Sequence, residues 1–523
     1  MLVKVYGSAV YGVDAITITM EIDSSPNQPP GYFIVGLPDN AVKESVDRIL
    51  SAIKNNGLER PRYKVLVNMA PADIKKAGSA YDLPIALGML AVTGQLEAAT
   101  IGEYIIMGEL SLDGSLKPIK GALPIAIQAR AEKFKGLILP KQNAREAALV
   151  NNLEVYGITH ISEAVDFFNG KLNLQPIEVN TRDEFFAAQE FFDIDFADVK
   201  GQQNVKRALE IASAGGHNAI LIGPPGAGKT LLAKSIQSIL PTMTVSEALE
   251  TSAIHSVAGK LNQKQRVVSN RVFRSPHHSI SHIALVGGGS TPKPGEISLA
   301  HNGVLFLDEL PEFHRNALES MRQPIEDGKV HISRSKFSIE YPSKFMLIAS
   351  MNPCPCGYYN HPTIECTCPM GSIIRYLSKV SGPLLDRIDL HVEVSPIPID
   401  DLSSNKNRSE SSATIRKRVT LARAIQKTRF QNNEFDNIHC NSQIPSKFIQ
   451  QLCHLQPKSQ QLLESAMSRL KLSARAYHRI LKVARTIADL AHEKEIQPEH
   501  VAEAIQYRSL DRSNWGNRVA PMD

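Results

Sequence analysis

A glycine-rich loop carries the most specific chemistry in the sequence. It follows the short apolar run Ala219–Ile222 and fits the pattern G-x-x-x-x-G-K-[ST]. This pattern predicts a strand, a loop whose backbone amides surround phosphate oxygens, and a helix whose positive end faces them. The Lys229 ammonium is expected to reach the β- and γ-phosphates, and the Thr230 hydroxyl to bind Mg²⁺. The residues of the expected loop are Gly223, Pro224, Pro225, Gly226, Ala227, Gly228, Lys229 and Thr230.

A second apolar run, Val304–Leu307, ends in two carboxylates, Asp308 and Glu309. In a chain that already carries the phosphate loop, Asp308 is expected to hold Mg²⁺ and Glu309 to orient or deprotonate the attacking water. Together the two motifs predict hydrolysis of a nucleoside triphosphate. A purely structural glycine loop is the alternative, and the strand and helix expected around the loop weigh against it.

Three further polar residues stand where AAA+ ATPases keep functional ones. Asn352 follows the apolar run Phe345–Ser350 and resembles the sensor-1 residue that holds the water against the γ-phosphate. Arg387, in GPLLDRID, resembles the arginine that acts on the site of a neighbouring subunit. Arg475, in LSARAYHR, resembles the sensor-2 arginine. For both arginines an ordinary surface salt bridge remains the alternative.

Two segments exceed what a minimal AAA+ core requires. One contains FRSPHHSIS before the Asp308 strand, and the other is PIEDGKVHISRSKFSI after it. They resemble insertions in the clade of magnesium-chelatase ATPase subunits and MCM helicases, where hairpins project into the pore of a ring. That resemblance implies that Lys329, Arg334 and Lys336 contact the phosphates of single-stranded or branched DNA, independently of its sequence.

The wording of the motifs narrows the resemblance further. GEISLAHNGVLFLDELPEF, ISRSKFSIEYPSKFMLIASMNPCPCG and SGPLLDRIDLHVEV are similar to the ComM/YifB family of chelatase-like AAA+ proteins. The resemblance implies a hexamer with ATP between subunits, Arg387 acting in trans, and a DNA helicase that promotes branch migration during natural transformation. Two alternatives stay open, namely a chelatase-like or chaperone-like remodeller of a protein partner and an active Lon-type peptidase.

The N-terminal region resembles the proteolytic domain of Lon, an α+β fold of the ribosomal S5 domain 2 type. Lon-type proteases use a catalytic serine and a catalytic lysine, and the resemblance places these two positions at Ala80 and Leu123. Neither side chain can serve in the corresponding role. Ser79 and Lys120 offer a shifted pair as an alternative. The favoured interpretation is a catalytically inactive domain used for DNA binding, substrate positioning or assembly, as in RadA-type helicases.

Four of the six cysteines, Cys354, Cys356, Cys366 and Cys368, lie in one short stretch. Four thiolates satisfy a tetrahedral zinc ion, and the segment between the two pairs is long enough to fold back. Structural zinc is therefore the favoured interpretation, and free reduced thiols are the alternative. His361, between the pairs, is a possible substitute ligand.

The elements that position these residues form an α/β chain. We expect an inactive Lon-protease-like domain at 1–172, a linker at 173–192, a P-loop AAA+ core at 193–400, and a helical lid at 401–523. Periodicity and residue types predict three strands and two helices in the first region. These are the strands Ile16–Ile22, Lys64–Asn68 and Tyr104–Met107 and the helices Ala41–Asn55 and Pro84–Val92.

Composition is compatible with this organisation. The 523 residues are too many for one ordinary core, and 43% hydrophobic with 21% charged residues is typical of a globular protein. The net charge of +5 permits contact with nucleic acid without requiring it. The sequence offers neither a signal-peptide pattern nor an apolar run of membrane-spanning length, so we expect a cytoplasmic protein with no membrane partner.

Overall fold

The computed structural model describes most of the chain as a mixed α/β protein built on two large sheets and three two-stranded ones. The predicted fold class is confirmed. The described residues are 2–25, 28–74, 76, 78–187, 192, 194–261, 267–289, 292–334, 337–396, 410–431, 438–470 and 472–508.

The first sheet has seven strands in the order β3-β4-β2-β1-β5-β8-β9, with β6 and β7 paired separately. Strands β1 and β2 form an antiparallel hairpin, and the edge pair β8–β9 is parallel. Along β2, Ile18, Met20 and Ile22 alternate inward, as the period of two predicts. The strands are β1 (Leu2–Tyr11), β2 (Asp14–Ser25), β3 (Gly31–Val35), β4 (Lys64–Ala70), β5 (Tyr104–Ile106), β6 (Glu109–Leu110), β7 (Leu116–Lys117), β8 (Gly136–Pro140) and β9 (Glu154–Ile158).

Helices cover this sheet. Every residue of α2 is buried, which fits a sequence that is apolar on all sides after Asp82. The buried Asp82 carboxylate pairs with Arg48. The strands and helices that we predicted in this region are confirmed, with ends that differ by a few residues. The helices are α1 (Asn40–Asn55), α2 (Asp82–Val92), α3 (Ala122–Ala131), α4 (Lys141–Ala147) and α5 (Ile161–Phe168).

The segment predicted as a linker contains one short helix, α6 (Thr181–Ala187). The Thr181 hydroxyl donates a hydrogen bond to the Leu149 carbonyl at 2.8 Å, and Phe185 is buried with the first hydrophobic core. Periodicity could not show this helix because it is only seven residues long. The segment is therefore attached to the N-terminal unit along part of its length.

The second sheet has the strand order β11-β14-β17-β10-β18, and each of its neighbouring pairs is parallel. Parallel strands place all their carboxyl ends at one edge, where ligands bind in open α/β sheets. Two further hairpins, β12–β13 and β15–β16, lie in the segments predicted as insertions. The strands are β10 (Ala219–Ile222), β11 (Phe273–Arg274), β12 (Gly287–Gly288), β13 (Lys293–Pro294), β14 (Val304–Leu307), β15 (Lys329–Arg334), β16 (Phe337–Pro342), β17 (Met346–Met351) and β18 (Leu390–Glu393).

Short helices connect these strands, and longer helices follow them. The C-terminal helices share a buried core with α7 and the inner sheet face. The helices of the sheet region are α7 (Gln203–Gly215), α8 (Lys229–Ser235), α9 (Val245–Val257), α10 (His282–Val286), α11 (Glu296–Leu299), α12 (Arg315–Ser320), α13 (Arg322–Asp327), α14 (Met370–Leu377) and α15 (Gly382–Leu385). The C-terminal helices are α16 (Ser412–Arg429), α17 (Ile449–Leu452), α18 (Pro457–Leu470), α19 (Ala474–Leu490) and α20 (Pro498–Gln506).

The two sheet units share apolar contacts through α9. Its residues Ala248 and Ala253 belong to the same buried cluster as the first sheet. The Ser256 hydroxyl also donates to the Glu146 carboxylate on α4. The unit of the first sheet, the N-terminal unit, is thus packed against the unit of the second sheet. The second unit carries the predicted nucleotide site and is called the nucleotide-site unit below. Among the described helices, none combines the length and the apolar character needed to cross a membrane.

Candidate functional site

The glycine-rich loop joins the end of β10 to the start of α8. Gly226 and Gly228 adopt φ values of +77° and +81°, a left-handed conformation that favours glycine. Gly223 has another reason to lack a side chain, because an added methyl carbon would lie 2.2 Å from the Val394 carbonyl oxygen. The remaining loop residues are Pro224, Pro225 and Ala227, and only Pro225 among these three is exposed. The predicted strand, loop and helix context is confirmed.

Lys229 is folded back across this loop. Its Nζ donates to the carbonyl oxygens of Gly223 and Pro224, both at 2.8 Å, and to Oδ1 of Asn352 at 3.0 Å. Burial lowers the pKa of Lys229, and the charges of Asp308 and Glu309 oppose that shift. These three bonds use all the donors of the ammonium, so binding of a phosphate oxygen would require Lys229 to exchange at least one of these partners.

Asp308 lies at the end of β14, facing the loop. The Thr230 hydroxyl donates to its Oδ2 at 2.8 Å, and the Ser350 hydroxyl donates to its Oδ1. A hydroxyl and a carboxylate at this separation are suitable oxygen ligands for Mg²⁺. The chemistry of the donor set therefore fits magnesium. Ser350 was given no role in the sequence analysis, because a serine inside an apolar strand is not distinguishable from a packing residue.

Glu309 follows in a left-handed conformation, with φ +54°. Its side chain is 57% exposed, and one carboxylate oxygen lies 3.4 Å from Nδ1 of His278. His278, in the FRSPHHSIS segment, is the second contact at the site that the sequence analysis did not assign.

Asn352 follows β17 directly, beside the strand that ends at Asp308. Since β14, β17 and β10 are neighbours in one parallel sheet, their carboxyl ends bring Asp308, Asn352 and Lys229 to the same edge. The structure therefore assembles these residues within one chain. Their catalytic roles remain predictions.

Arg387 is held by its own chain. Its guanidinium is only 7% exposed and lies 2.7 Å from the Glu326 carboxylate. It also donates to the carbonyl oxygens of Pro383, at 2.7 Å, and of Arg322, at 3.2 Å. Action in the site of a neighbouring subunit would require Arg387 to exchange these partners.

Arg475 lies in the first turn of α19 and is exposed. One turn further, Arg479 forms an ion pair with the buried carboxylate of Asp389, which also lies 3.5 Å from Nδ1 of His217. Burial opposes ionisation of Asp389, but Arg479 and His217 lower its pKa far below the usual range. The helix that carries Arg475 is thus anchored to Asp389, which lies two residues after Arg387 in the sequence.

The four clustered cysteines converge. The Sγ of Cys354 lies 3.3 Å from that of Cys356 and 3.7 Å from that of Cys366, and all four sulfur atoms fall within 4.8 Å of one another. Four ligands at about 2.3 Å from one zinc ion would be about 3.8 Å apart in a tetrahedron. Backbone amides also point at the sulfur atoms, as from Tyr359 to Cys354 at 3.3 Å. The arrangement of Cys354, Cys356, Cys366 and Cys368 fits zinc.

His361 does not belong to this cluster. Its Nδ1 faces the backbone amides of Thr363, at 3.2 Å, and Ile364, at 3.0 Å, which identifies that nitrogen as an acceptor within its own loop. The four thiols alone therefore make up the candidate ligand set among the described residues.

The β15–β16 hairpin confirms the two strand-like runs predicted after Asp308. Lys329 lies at its base, opposite Pro342, and forms a 2.6 Å ion pair with Glu340. Arg334 is next to the turn, with its backbone opposite Phe337. Lys336 lies outside the described residues. Of the three predicted DNA contacts, Lys329 is therefore already neutralised in part by its neighbour.

The N-terminal unit holds the positions implied by the Lon resemblance without a catalytic pair. Leu123 is buried, and Ala80 offers no nucleophile. The Ser79 hydroxyl donates to Glu109, while Lys120 lies beside Gly259 of the nucleotide-site unit. In the described part of the chain no hydrogen bond joins Ser79 to Lys120.

Comparison with known proteins agrees with this arrangement. Three family models match the chain. The model described as magnesium chelatase, subunit ChlI, matches residues 195–402. The model described as subunit ChlI of Mg-chelatase matches residues 20–143, and the model of the ChlI C-terminal region matches residues 409–508. The chain is 45% identical to competence protein ComM of Haemophilus influenzae over 514 residues, 98% of each protein. It is also 45% identical to YifB of Escherichia coli over 511 residues, 97% of each protein.

A shorter match supports the resemblance to Lon. The chain is 30% identical to Lon protease 2 of Bacillus subtilis over 151 residues, which cover 28% of this chain and 27% of that protein. The matches to ComM and YifB extend over nearly the whole chain instead. The chain belongs to the ComM/YifB family of magnesium-chelatase-like AAA+ proteins.

Proposed function

We propose that this protein is an ATP-driven DNA translocase or helicase that assembles as a hexameric ring and promotes branch migration during recombination in natural transformation. The observation that carries the ATPase part is the convergence of Lys229, Thr230, Asp308 and Asn352 at one sheet edge. The resemblance to a protein named for competence supports the DNA part. Membership of the AAA+ ATPase family implies ATP and Mg²⁺ as cofactors.

The geometry of the site supports the following catalytic cycle. The loop amides and Lys229 bind the triphosphate, and Thr230 and Asp308 supply oxygen ligands to Mg²⁺. Glu309 orients or deprotonates the water, and Asn352 holds it near the γ-phosphate. Arg387 of a neighbouring subunit and Arg475 would then neutralise charge that develops on the transferred phosphoryl group.

Movement of DNA would come from the β15–β16 hairpin. It follows α13, whose Glu326 holds Arg387. A change at the subunit boundary that frees Arg387 would therefore act on the element directly before the hairpin. Arg334, at the end of β15, and Lys329, at the base of the hairpin, are two proposed phosphate contacts. Lys336, which lies outside the described residues, is the third, and all three belong to the core proposed at 193–400. We propose further that Cys354, Cys356, Cys366 and Cys368 hold structural Zn²⁺, and that the protein acts in the cytoplasm.

The test is ATP hydrolysis by the purified protein, with and without a synthetic branched DNA. We expect DNA to stimulate hydrolysis and Lys229→Ala to abolish it. Lys234→Ala is the matched control, since Lys234 is an exposed lysine on the same helix. Hydrolysis that no single-stranded or branched DNA changes would contradict the DNA part.

The second candidate is a remodeller of a protein partner. It is favoured by the three sequence models, each of which describes a magnesium chelatase subunit. This function predicts hydrolysis that is indifferent to DNA, and basic residues of the hairpin that can be removed without loss. Arg334→Ala with Lys336→Ala distinguishes the two candidates, because only a DNA motor should lose its DNA stimulation.

A further inference from the structure

The turn that begins the cysteine cluster rests against the phosphate loop. Gly357 is buried in a left-handed conformation, with φ +86°. A methyl carbon added there would lie 2.5 Å from Cδ of Pro225, which is closer than two carbon atoms can approach. The turn that contains Cys354 and Cys356 therefore packs directly on the loop that surrounds the triphosphate.

The same turn continues from the sensor-1 position. Asn352 Oδ1 accepts a hydrogen bond from Lys229 Nζ at 3.0 Å, and Cys354 follows two residues later with its side chain buried. The Gly357 amide donates to the Cys354 carbonyl at 3.0 Å and closes the turn between them. The short segment 352–357 thus begins at Asn352 and approaches Pro225 at Gly357.

Four thiol groups cannot hold that segment by themselves. Sulfur atoms 3.3 to 3.7 Å apart gain little from one another as thiols and repel one another as thiolates. A zinc ion at their centre removes the repulsion and closes the loop from Cys354 to Cys368. Without the ion, the segment has no comparable restraint from the cluster.

We propose that the metal at the four cysteines supports nucleotide binding: it fixes the 354–357 turn against Pro225 and thereby holds Asn352 beside Lys229. This inference rests on the zinc site proposed above and not on the DNA activity. A metal that only stabilised an exposed loop would leave the affinity for nucleotide unchanged.

The first experiment compares metal content with nucleotide affinity in full-length protein. We expect about one zinc per chain by elemental analysis, none in Cys366→Ser/Cys368→Ser, and a Kd for a fluorescent ATP analogue raised about tenfold or more in that variant. His361→Ala, in the same loop but outside the cluster, should keep both the zinc and the affinity. Wild-type protein stripped by a chelator should show the same loss, and added Zn²⁺ should restore its affinity.

A second set of variants tests the contact while leaving the thiols in place. Gly357→Ala should retain zinc and still weaken nucleotide binding, because its methyl group displaces Pro225. Pro225→Ala removes the clashing ring, so the double variant should lose less affinity than the two single losses combined. This design does not depend on whether the cysteine variant folds.

Three results would overturn the inference. Zinc-free protein that binds nucleotide as tightly as wild type would separate the metal from the site, and so would Gly357→Ala with unchanged affinity. Wild-type protein that contains no zinc would contradict the metal site as well. In each case DNA-stimulated hydrolysis could persist, so the proposed motor function would be judged separately.

Discussion

The two halves of the proposed ATPase site differ in how the single chain presents them. Lys229 donates a hydrogen bond to Asn352 at 3.0 Å. Thr230 donates one to Asp308 at 2.8 Å. Arg387, by contrast, is buried in an ion pair with Glu326, and Arg475 is exposed on a separate helix. The half proposed to act in cis is assembled within the single chain. The other half is either occupied within its own chain or presented outward.

The difference shows which site residues sequence motifs can predict reliably. Residues at the ends of neighbouring parallel strands must meet, because the sheet fixes their spacing. A residue that serves another subunit has no such constraint inside its own chain, and its contacts there can be structural. If the contrast between the two halves is functional, variants on the two sides of it should have different effects.

Arg387→Ala should lower ATP hydrolysis about a thousandfold if the arginine acts in trans. Mixing it with Lys229→Ala protein should recover part of the activity, since each variant supplies the residue that the other lacks. Steady-state hydrolysis of the mixture, compared with each variant alone, is the measurement. Glu326→Gln is the control, because it removes the ion pair and leaves Arg387 intact. Arg387 would be a structural residue if mixing restored no activity and if Arg387→Ala and Glu326→Gln lowered the free energy of unfolding equally.

Asp389→Ala should destabilise the fold by about 3–5 kcal/mol, because it leaves the partly buried Arg479 charge without its partner. The free energy of unfolding in denaturant is the measurement. Glu103→Ala removes a surface ion pair with Lys135 and should cost less than about 1 kcal/mol. A small effect at Asp389 would mean that α19 is not anchored through this residue.

Ser350→Ala should weaken the response to Mg²⁺ about tenfold, because Asp308 loses the hydroxyl that orients it. The Mg²⁺ dependence of ATP hydrolysis should shift, and excess Mg²⁺ should restore the rate. Ser298→Ala is a matched control, since its hydroxyl is buried with no hydrogen-bond partner in the described structure. A rate that excess Mg²⁺ fails to restore would contradict this role.

Acid should destabilise the strand that follows Arg387. Burial, with the charge of Arg508, lowers the pKa of His391 to about 3. The unfolded chain, with an ordinary histidine pKa of about 6.5, takes up the proton first, so stability is lost as pH falls from about 6.5 towards 3. His391→Gln should flatten this part of the unfolding profile, and His314→Gln, at an exposed histidine, should not. Parallel profiles for wild type and His391→Gln would count against this origin.

The parts of the molecule that could be predicted from the sequence are those with short, characteristic patterns. The glycine loop, the β15–β16 hairpin and the convergence of the four cysteines follow from residue types and local spacing. Ser350 and His278 were missed because their partners are distant in sequence and no pattern marks a polar residue that faces a site. The burial of Arg387 could not be predicted either, because nothing in the sequence distinguishes its partner Glu326 from the many glutamates that are exposed to solvent.

The packing of the N-terminal unit against the nucleotide-site unit also could not be predicted from the sequence. The Tyr11 hydroxyl donates to the Ser338 carbonyl on the β15–β16 hairpin at 3.0 Å, and α9 completes the first hydrophobic core. Such contacts depend on how two units are oriented, and periodicity within each unit contains no information about that. The N-terminal unit is thus physically connected to the element proposed to move DNA.

Branch migration of a synthetic four-way junction is the decisive measurement for the proposed motor function. Wild-type protein with ATP and Mg²⁺ should convert the junction into two duplexes. Lys229→Ala and Glu309→Gln should both fail, and Lys234→Ala should behave as wild type. Wild-type protein that hydrolyses ATP at full rate and leaves every junction intact would contradict the account.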